Sequence, residues 1–387
     1  MSNDELYTGR EQTLVKHFIL QKYLERFAYI VGSHWDTLTY VDCFSGPWNA
    51  RSEKFEDSSF AIALKELRNA RNTLAKQRGR NVQMRCFFLE KNRAAFAKLK
   101  EFADSVKDAE IETRNATLEE SIPDISDFVK RGGAKAFPFV FIDPTGWTGF
   151  EMETIAPLLR LNPGEVLINF MTSHIRRFLD SPQEETQESF KRLFGSGEFR
   201  AKVQGVAQLE REDAAVEEYA RNARLVGGFS FGCNAIVLHP EKDRTHFNLI
   251  YLTRNLKGIE VFKDAEKKAM EVQEAARAEA QQRKRVASKG QSELFGSREL
   301  HDSTHYEFLR ERYLAKARSL VLRALESKRR LLYDDVWTLA LSEPMSWESD
   351  LKQWIEEWKD DGRLEVTGMK PRQRVPHRNE QIYLNWK

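Results

Sequence analysis

Residues 137–143 read FPFVFID, an apolar run that ends on a carboxylate and leads straight into Pro144, Thr145, Gly146 and Trp147. A segment that is apolar at almost every position has both faces covered, which is how a strand inside a parallel sheet reads. In open α/β sheets, ligands bind just beyond the carboxyl ends of such strands. A carboxylate, a rigid proline turn and a flat ring at that place suit a planar amine or base held beside a cofactor. The rest of the chain must then supply the sheet and the cofactor's binding site.

Runs of the same kind recur at LTYVDCF (38–44), MRCFFLE (84–90), the weaker EIETRNA (110–116) and EVLINFM (165–171). Helix-like stretches lie around 59–78, 91–106, 117–131 and 150–161. This alternation predicts βαβ units and a parallel sheet. A leading helix over 11–31 carries Leu20, Leu24, Phe27 and Val31 at helical spacing, with Lys16 and His17 expected on the opposite side. After a mostly helical insert (about 174–225), NAIVLH (234–239) and THFNLIYLT (245–253) are separated by EKDR, short enough for a hairpin. The expected class is α/β, a Rossmann-like sheet of about seven strands.

The 387 residues are 41% apolar and 31% charged, enough for two or three domains with a sizeable core. No apolar run approaches the roughly 18–20 residues needed to cross a bilayer, and MSNDELYTGR lacks a signal-peptide pattern. Cys43, Cys86 and Cys233 are far apart and read as reduced core thiols, without zinc-ligand spacing. The expectation is a cytoplasmic protein with no membrane partner and no metal. The net charge of +2 does not point to any class of partner.

From Asp264 to about Arg285 the composition is that of a solvated helix, and 287–300 reads as a linker. The predicted domains are 1–265, a helix and linker over 266–303, and a C-terminal unit over 304–387. In that unit, helices over about 306–328 and 333–341 precede a third with Trp347, Leu351, Trp354, Ile355 and Trp358 on one face. GRLEVTG and NEQIYLNWK are candidate closing strands. Three helices and a β-ribbon describe a winged helix-turn-helix. Its third helix, residues 346–361, carries six carboxylates against two lysines, so phosphates would be repelled there. Residues 366–387 carry five basic side chains against Glu380. Nucleic acid would therefore meet Arg372 and Arg374, and protein docking through this unit explains the pattern equally well.

TYVDCFSGPW (39–48) reads as a strand, an acid (Asp42), then a turn with Ser45, Gly46 and Pro47, where backbone can approach a nucleoside and amino-acid cofactor closely. Any strand followed by a turn gives the same pattern. Glu90 ends the next strand, where an acid commonly accepts ribose hydroxyls; a helix cap is the plainer reading. Asn115 ends the third and is placed to meet an adenine edge, although asparagine at a turn is ordinary. Lys16 reads first as solvated, and His17 as a candidate general base.

KHFILQKYL, YVDCFSGPW, FFLEKN, FIDPTGW and EVLINFM followed by IRRF occur in this order over roughly residues 7–265. In this the chain resembles the three-Cys-motif partner protein family. That resemblance implies a class I S-adenosylmethionine (SAM)-dependent methyltransferase-like fold, SAM as cofactor, and a radical-SAM-like three-Cys-motif protein as partner. It also implies roles for individual residues. Asp42, Ser45, Gly46 and Pro47 would form the cofactor loop and Glu90 the ribose carboxylate, with Lys16 closing over the cofactor carboxylate beside His17. Asp143, Pro144, Gly146 and Trp147 would form the substrate loop, with Asn169 and Arg177 polar positions beyond the fifth strand. The chain departs from the family's pattern at Asp57-Ser58-Ser59, at Thr145, and at Trp48, which would crowd the cofactor. Nucleic-acid amino-methyltransferases use Asp/Asn-Pro-Pro-aromatic on the target amine, and Asp143-Pro144-Thr145-Gly146-Trp147 keeps the acid, one proline and the aromatic. The expected activity is methylation of DNA or RNA; the alternative is a non-catalytic subunit of the partner protein.

Overall fold

The computed structural model describes residues 3–46, 50–179, 181–207, 210–289 and 296–387. The chain opens with a short turn of helix, α1 (Asn3–Leu6), and the long α2 (Glu11–Gly32). It then alternates through β1 (Thr37–Asp42), α3 (Ser59–Arg78), β2 (Gln83–Leu89), α4 (Arg93–Ser105), β3 (Glu110–Arg114), α5 (Leu118–Arg131), β4 (Ala136–Ile142), α6 (Met152–Leu159) and β5 (Glu165–Phe170). Every residue of β1 and β5 is buried, as strands covered by helices on both faces require. Local chemistry sets the helix ends. Ser58 caps α3, Gly79 ends it at φ 61°, and Thr117 with Glu120 forms a capping box on α5.

The insert holds α7 (Thr172–Phe178), α8 (Glu184–Phe194), α9 (Phe199–Gln204) and α10 (Arg211–Gly227). The chain returns through β6 (Phe231–Leu238) and β7 (Thr245–Thr253), an antiparallel hairpin. The resulting seven-stranded sheet has the order β3-β2-β1-β4-β5-β7-β6, with β7 antiparallel to β5. This Rossmann-like arrangement is the one the class I methyltransferase resemblance implies.

The helix expected over 264–285 is longer. As α11 (Leu256–Lys289) it leaves β7 almost at once and runs for 34 residues. It is also less solvated than its composition suggests, because Ile259, Val261, Phe262, Ala265, Ala269 and Met270 are buried in the sheet's core. Of the expected linker, 290–295 lie outside the described residues and 287–289 are still helical.

The C-terminal unit follows as α12 (Thr304–Lys328), β8 (Arg330–Leu332), α13 (Tyr333–Ser342), α14 (Glu348–Asp360), β9 (Leu364–Thr367) and β10 (Tyr383–Trp386). Its strands form a small antiparallel sheet in the order β8-β10-β9. β8 is three residues long and was not expected from the sequence. Nor does the unit stand apart. Its buried residues from Leu309 to Leu384 are continuous with the core formed by α2, α3, α11 and one face of the large sheet. Tyr313 donates to Asp213 of α10 at 2.7 Å, and Lys316 pairs with Glu217 of the same helix.

Candidate active site

β1 lies between β2 and β4, and the register sets Asp42 level with Phe88 and Phe141. Glu90 lies two residues beyond Phe88, and Asp143 two beyond Phe141. Three carboxylates therefore end three adjacent parallel strands on one rim. The strand order reverses direction between β1 and β4, the place where open α/β sheets bind ligands.

Asp42 is fully buried, and its carboxylate is built into the turn after β1. The Ser59 hydroxyl donates to it at 2.6 Å, the Phe44 amide at 3.1 Å and the Tyr40 hydroxyl at 3.2 Å. Ser45 donates to its backbone carbonyl at 2.9 Å. Burial pushes the Asp42 carboxyl up to about 6; the hydrogen bonds oppose that rise and the nearby Asp143 charge adds to it. Gly46 is half-buried, and Pro47 and Trp48 lie outside the described residues. The departure at Asp57-Ser58-Ser59 proves to be a built turn. Asp57 is buried, accepts the amides of Arg51 at 2.9 Å and Ser52 at 3.1 Å, and pairs with Arg10. Ser58 caps the helix while Ser59 reaches Asp42.

Glu90 is 7% exposed. Its Oε1 accepts the Asn92 amide at 2.6 Å, so it steadies the turn into α4, which Asn92 itself caps. Among the described residues no hydrogen bond reaches its Oε2. Asn115 uses its amide on the backbone carbonyls of Glu90 at 2.8 Å and Lys91 at 3.1 Å. That donor ties the ends of β2 and β3 together and is already spent; an adenine edge would meet only the Asn115 carbonyl.

Asp143 holds two partners. Asn169 Nδ2 donates to Oδ1 at 2.6 Å and the Lys16 ammonium donates to Oδ2, with both members of the ion pair largely buried at 11% and 14% side-chain exposure. Lys16 therefore crosses from α2 to the loop after β4, which corrects its solvated reading. The reason is that α2 packs against α3, α11 and β1, which brings this turn of the helix to the end of the strands where Asp143 lies. The Lys16 nitrogen also lies 5.9 Å from the centroid of the Phe247 ring. Asn169 is 3% exposed, and its Oδ1 has no hydrogen-bond partner among the described residues.

His17, expected on the outer face of the helix, is 7% exposed. Its Nδ1 and the Tyr7 hydroxyl share a 2.9 Å hydrogen bond. Burial first, then the Lys16 and Arg10 charges, hold its pKa well below the usual histidine value, so it is neutral near pH 7. No contact joins it to Asp143 among the described residues. Trp147 is not turned toward the rim. Its ring packs on Phe178 at 4.7 Å and Phe190 at 5.8 Å, and its Nε1 donates to Ser189 at 3.3 Å. The aromatic insert drew the indole in, and its phenylalanines were not weighed in the sequence. Pro144 is buried, and Arg177 is exposed with its guanidinium 5.8 Å from the Phe178 ring.

In the C-terminal unit Arg372 and Arg374 are both exposed. Arg378 is not: it pairs with Glu260 of α11 at 2.8 Å and lies over Trp337 at 4.2 Å. Lys370 pairs with Glu380 at 2.5 Å. The basic loop between β9 and β10 is thus partly neutralised and tied down. Three open grooves of 770, 660 and 470 Å³ lie between α2 and α3, along α12 beside Trp354, and between α6 and α8; none is bordered by Asp42, Glu90 or Asp143.

Sequence reasoning missed Tyr40 and Ser59 on Asp42, and Phe247 beside Lys16. Tyr40 carried a signal, since it lies two residues before Asp42 and so on the same face of β1. Phe247 comes from the far hairpin and carried none. No family model and no curated protein matches the chain. Among solved structures it is similar to protein LPL1258 from Legionella pneumophila str. Philadelphia 1, at 10% identity over 63% of this chain and 85% of that one, with a TM-score of 0.34. It is also similar to the O-methyltransferase TomG from Streptomyces achromogenes in complex with SAM, at 13% identity over 61% and 79%, with a TM-score of 0.30. A third is a loganic acid methyltransferase with S-adenosylhomocysteine (SAH), at 7% identity over 74% and 91%, with a TM-score of 0.31. The reading of the fold therefore rests on strand order and register, not on these likenesses.

Proposed function

We propose that the chain is a SAM-dependent methyltransferase whose acceptor is an amine presented to Asp143. The observation that carries this reading is the single rim formed by Asp42, Glu90 and Asp143 at the switch point of the sheet. The residues fit the cofactor: Glu90 keeps an oxygen for ribose hydroxyls, and Asp42 stiffens the turn holding Ser45 and Gly46. Bound SAM would supply an electrophilic methyl group on sulfur. The chain's own contribution is to hold and orient the acceptor nitrogen, with Asp143 taking its N–H and Asn169 fixing the carboxylate.

The finer expectation puts that amine on a nucleic acid. It draws support from exposed Arg372 and Arg374, and from the make-up of the C-terminal unit, which reads as a winged helix. A radical-SAM-like three-Cys-motif protein as partner rests on the sequence resemblance alone. The competing reading, a non-catalytic subunit, is favoured by one observation: Lys16 already occupies the carboxylate that an acceptor needs.

Isothermal titration with SAM tests the proposal. Wild type should release or absorb heat on saturation and Glu90→Ala should bind at least about tenfold more weakly, the loss of one charge-assisted hydrogen bond. A silent wild type rejects the cofactor. Methyl-label transfer with an Asp143→Ala control separates enzyme from subunit, because label retained by that variant places the chemistry elsewhere.

A further inference from the structure

The contacts of the Lys16 ammonium describe a ligand as well as an ion pair. The nitrogen is held by the Asp143 carboxylate, itself positioned by Asn169 at 2.6 Å, and stands 5.9 Å from the centroid of the Phe247 ring. Carboxylate and ring face together are what a protonated alkylamine requires, since the ring's negative face attracts the cation. A second observation points the same way. Asn169 Oδ1 is buried without a donor among the described residues, whereas an ammonium has three N–H groups to give. A buried acceptor left unpaired costs on the order of 1–3 kcal/mol, so a ligand that supplies the missing donor gains by it.

A nucleobase amine would want something else. The ring expected to stack on it, the Trp147 indole, packs instead on Phe178 and Phe190, with its N–H on Ser189.

We infer that the acceptor is a primary alkylammonium, such as a lysine side chain or a polyamine, and that Lys16 is its resident stand-in. This rests on the reading of Asp143 as the acceptor carboxylate. The incoming ammonium displaces Lys16, takes Asp143 and Asn169 as acceptors, and loses one proton through Asp143 to solvent. Bound SAM would then supply the methyl group, the neutral nitrogen bonding to its methyl carbon as the carbon–sulfur bond breaks. The electron pair of that bond would stay on sulfur, and the positive charge would pass from the sulfonium to the methylated nitrogen. Lys16 is thus a specificity-determining residue: whatever binds must compete with an amine of the same kind.

The test uses the full chain without cofactor. Titration of Lys16→Met with Nα-acetyl-lysine methyl amide and with spermidine should show binding about tenfold or more tighter than in wild type, because the resident competitor is gone. Binding of either amine supports the inference, and which one binds identifies the source. Asp143→Asn or Phe247→Leu in the Lys16→Met background should abolish the gain. Equal amine affinity in wild type and Lys16→Met overturns the inference, as does binding of adenosine or cytidine in place of the amines. Should Lys16→Met fail to fold by circular dichroism, the wild type decides through the 15N resonance of the Lys16 ammonium. That signal should shift as amine saturates the protein, and an unmoved signal overturns the inference. A separate SAM titration keeps the two readings distinct. SAM binding without amine binding sinks this inference alone, whereas amine binding without SAM sinks only the methyltransferase.

Discussion

Lys263 and Glu266, one turn apart on α11, form an ion pair at 2.5 Å with side chains only 3% and 0% exposed. Neither charge depends on the other alone. Lys263 also donates to the Glu343 carbonyl at 2.8 Å and lies 5.1 Å from the Trp347 ring, and Glu266 accepts the Met345 amide at 2.8 Å. The pair therefore seats the C-terminal unit on the helix that leaves the sheet.

Lys263→Met should destabilise the protein by about 3–5 kcal/mol, because it strands the Glu266 charge in the interior. Lys263→Met with Glu266→Leu should recover much of that loss, since two apolar groups leave no charge behind. Urea unfolding of both variants checks this. A double variant no better than the single one would show that the backbone contacts at Glu343 and Met345 are what matter.

The acidic rim should leave a mark on stability against pH. The Asp42 carboxyl titrates at about 6 in the fold against an ordinary 3.8. The folded state therefore holds its proton where the unfolded chain has lost it. The stabilisation is complete below the ordinary value and is lost as pH rises toward 6. At neutral pH the buried charge costs about 3 kcal/mol. Asp42→Asn should flatten the stability profile between about pH 4 and 6 and be relatively more stable above it. A slope in that window equal to wild type would assign it to another group.

His17 tilts the other limb. Its pKa is depressed in the fold, so the unfolded chain takes up a proton first as pH falls below the usual 6.5 and stability declines there. Tyr7→Phe removes the partner of its Nδ1 and should cost about 1–3 kcal/mol by leaving a buried ring nitrogen unpaired. Thermal melts near neutral pH measure it; an unchanged melting temperature would show that water replaces the hydroxyl.

Arg378→Ala should loosen the loop between β9 and β10 without touching Arg372 or Arg374. It removes the pair with Glu260 and a desolvated stacking on Trp337 worth up to about 2 kcal/mol. Hydrogen exchange over residues 368–382 should accelerate while α14 stays protected. If nucleic acid binds this loop, the variant should change its affinity as well. Exchange identical to wild type would mean that Asp334, which accepts the Asn379 amide at 3.2 Å, holds the loop by itself.

The strands of the large sheet were readable because covered strands are mostly apolar, as β1, β2, β4 and β5 are, but their order was not, since pairing between segments leaves no local trace. The three carboxylates were readable for the same reason: an acid after such a run marks a strand tip. What did not show was direction across the chain. Nothing in KHFIL says that Lys16 turns inward, because its partner lies in the loop after β4, 127 residues on. Trp147 misled because its aromatic character was visible, while the phenylalanines of the insert that claim it were not adjacent in sequence. The C-terminal unit looked separable because Gly and Ser flank it; its apolar contacts with α11 and β6 are long-range and leave no local trace. β8 was too short to carry an alternating pattern.

α11 spans 34 residues, about 50 Å at the usual rise per residue. It begins one turn from the strand that meets β5, and near its start carries the grips on Arg378, Glu343 and Met345. A chain cut after residue 303 would lose the cover that keeps the apolar side of this helix dry.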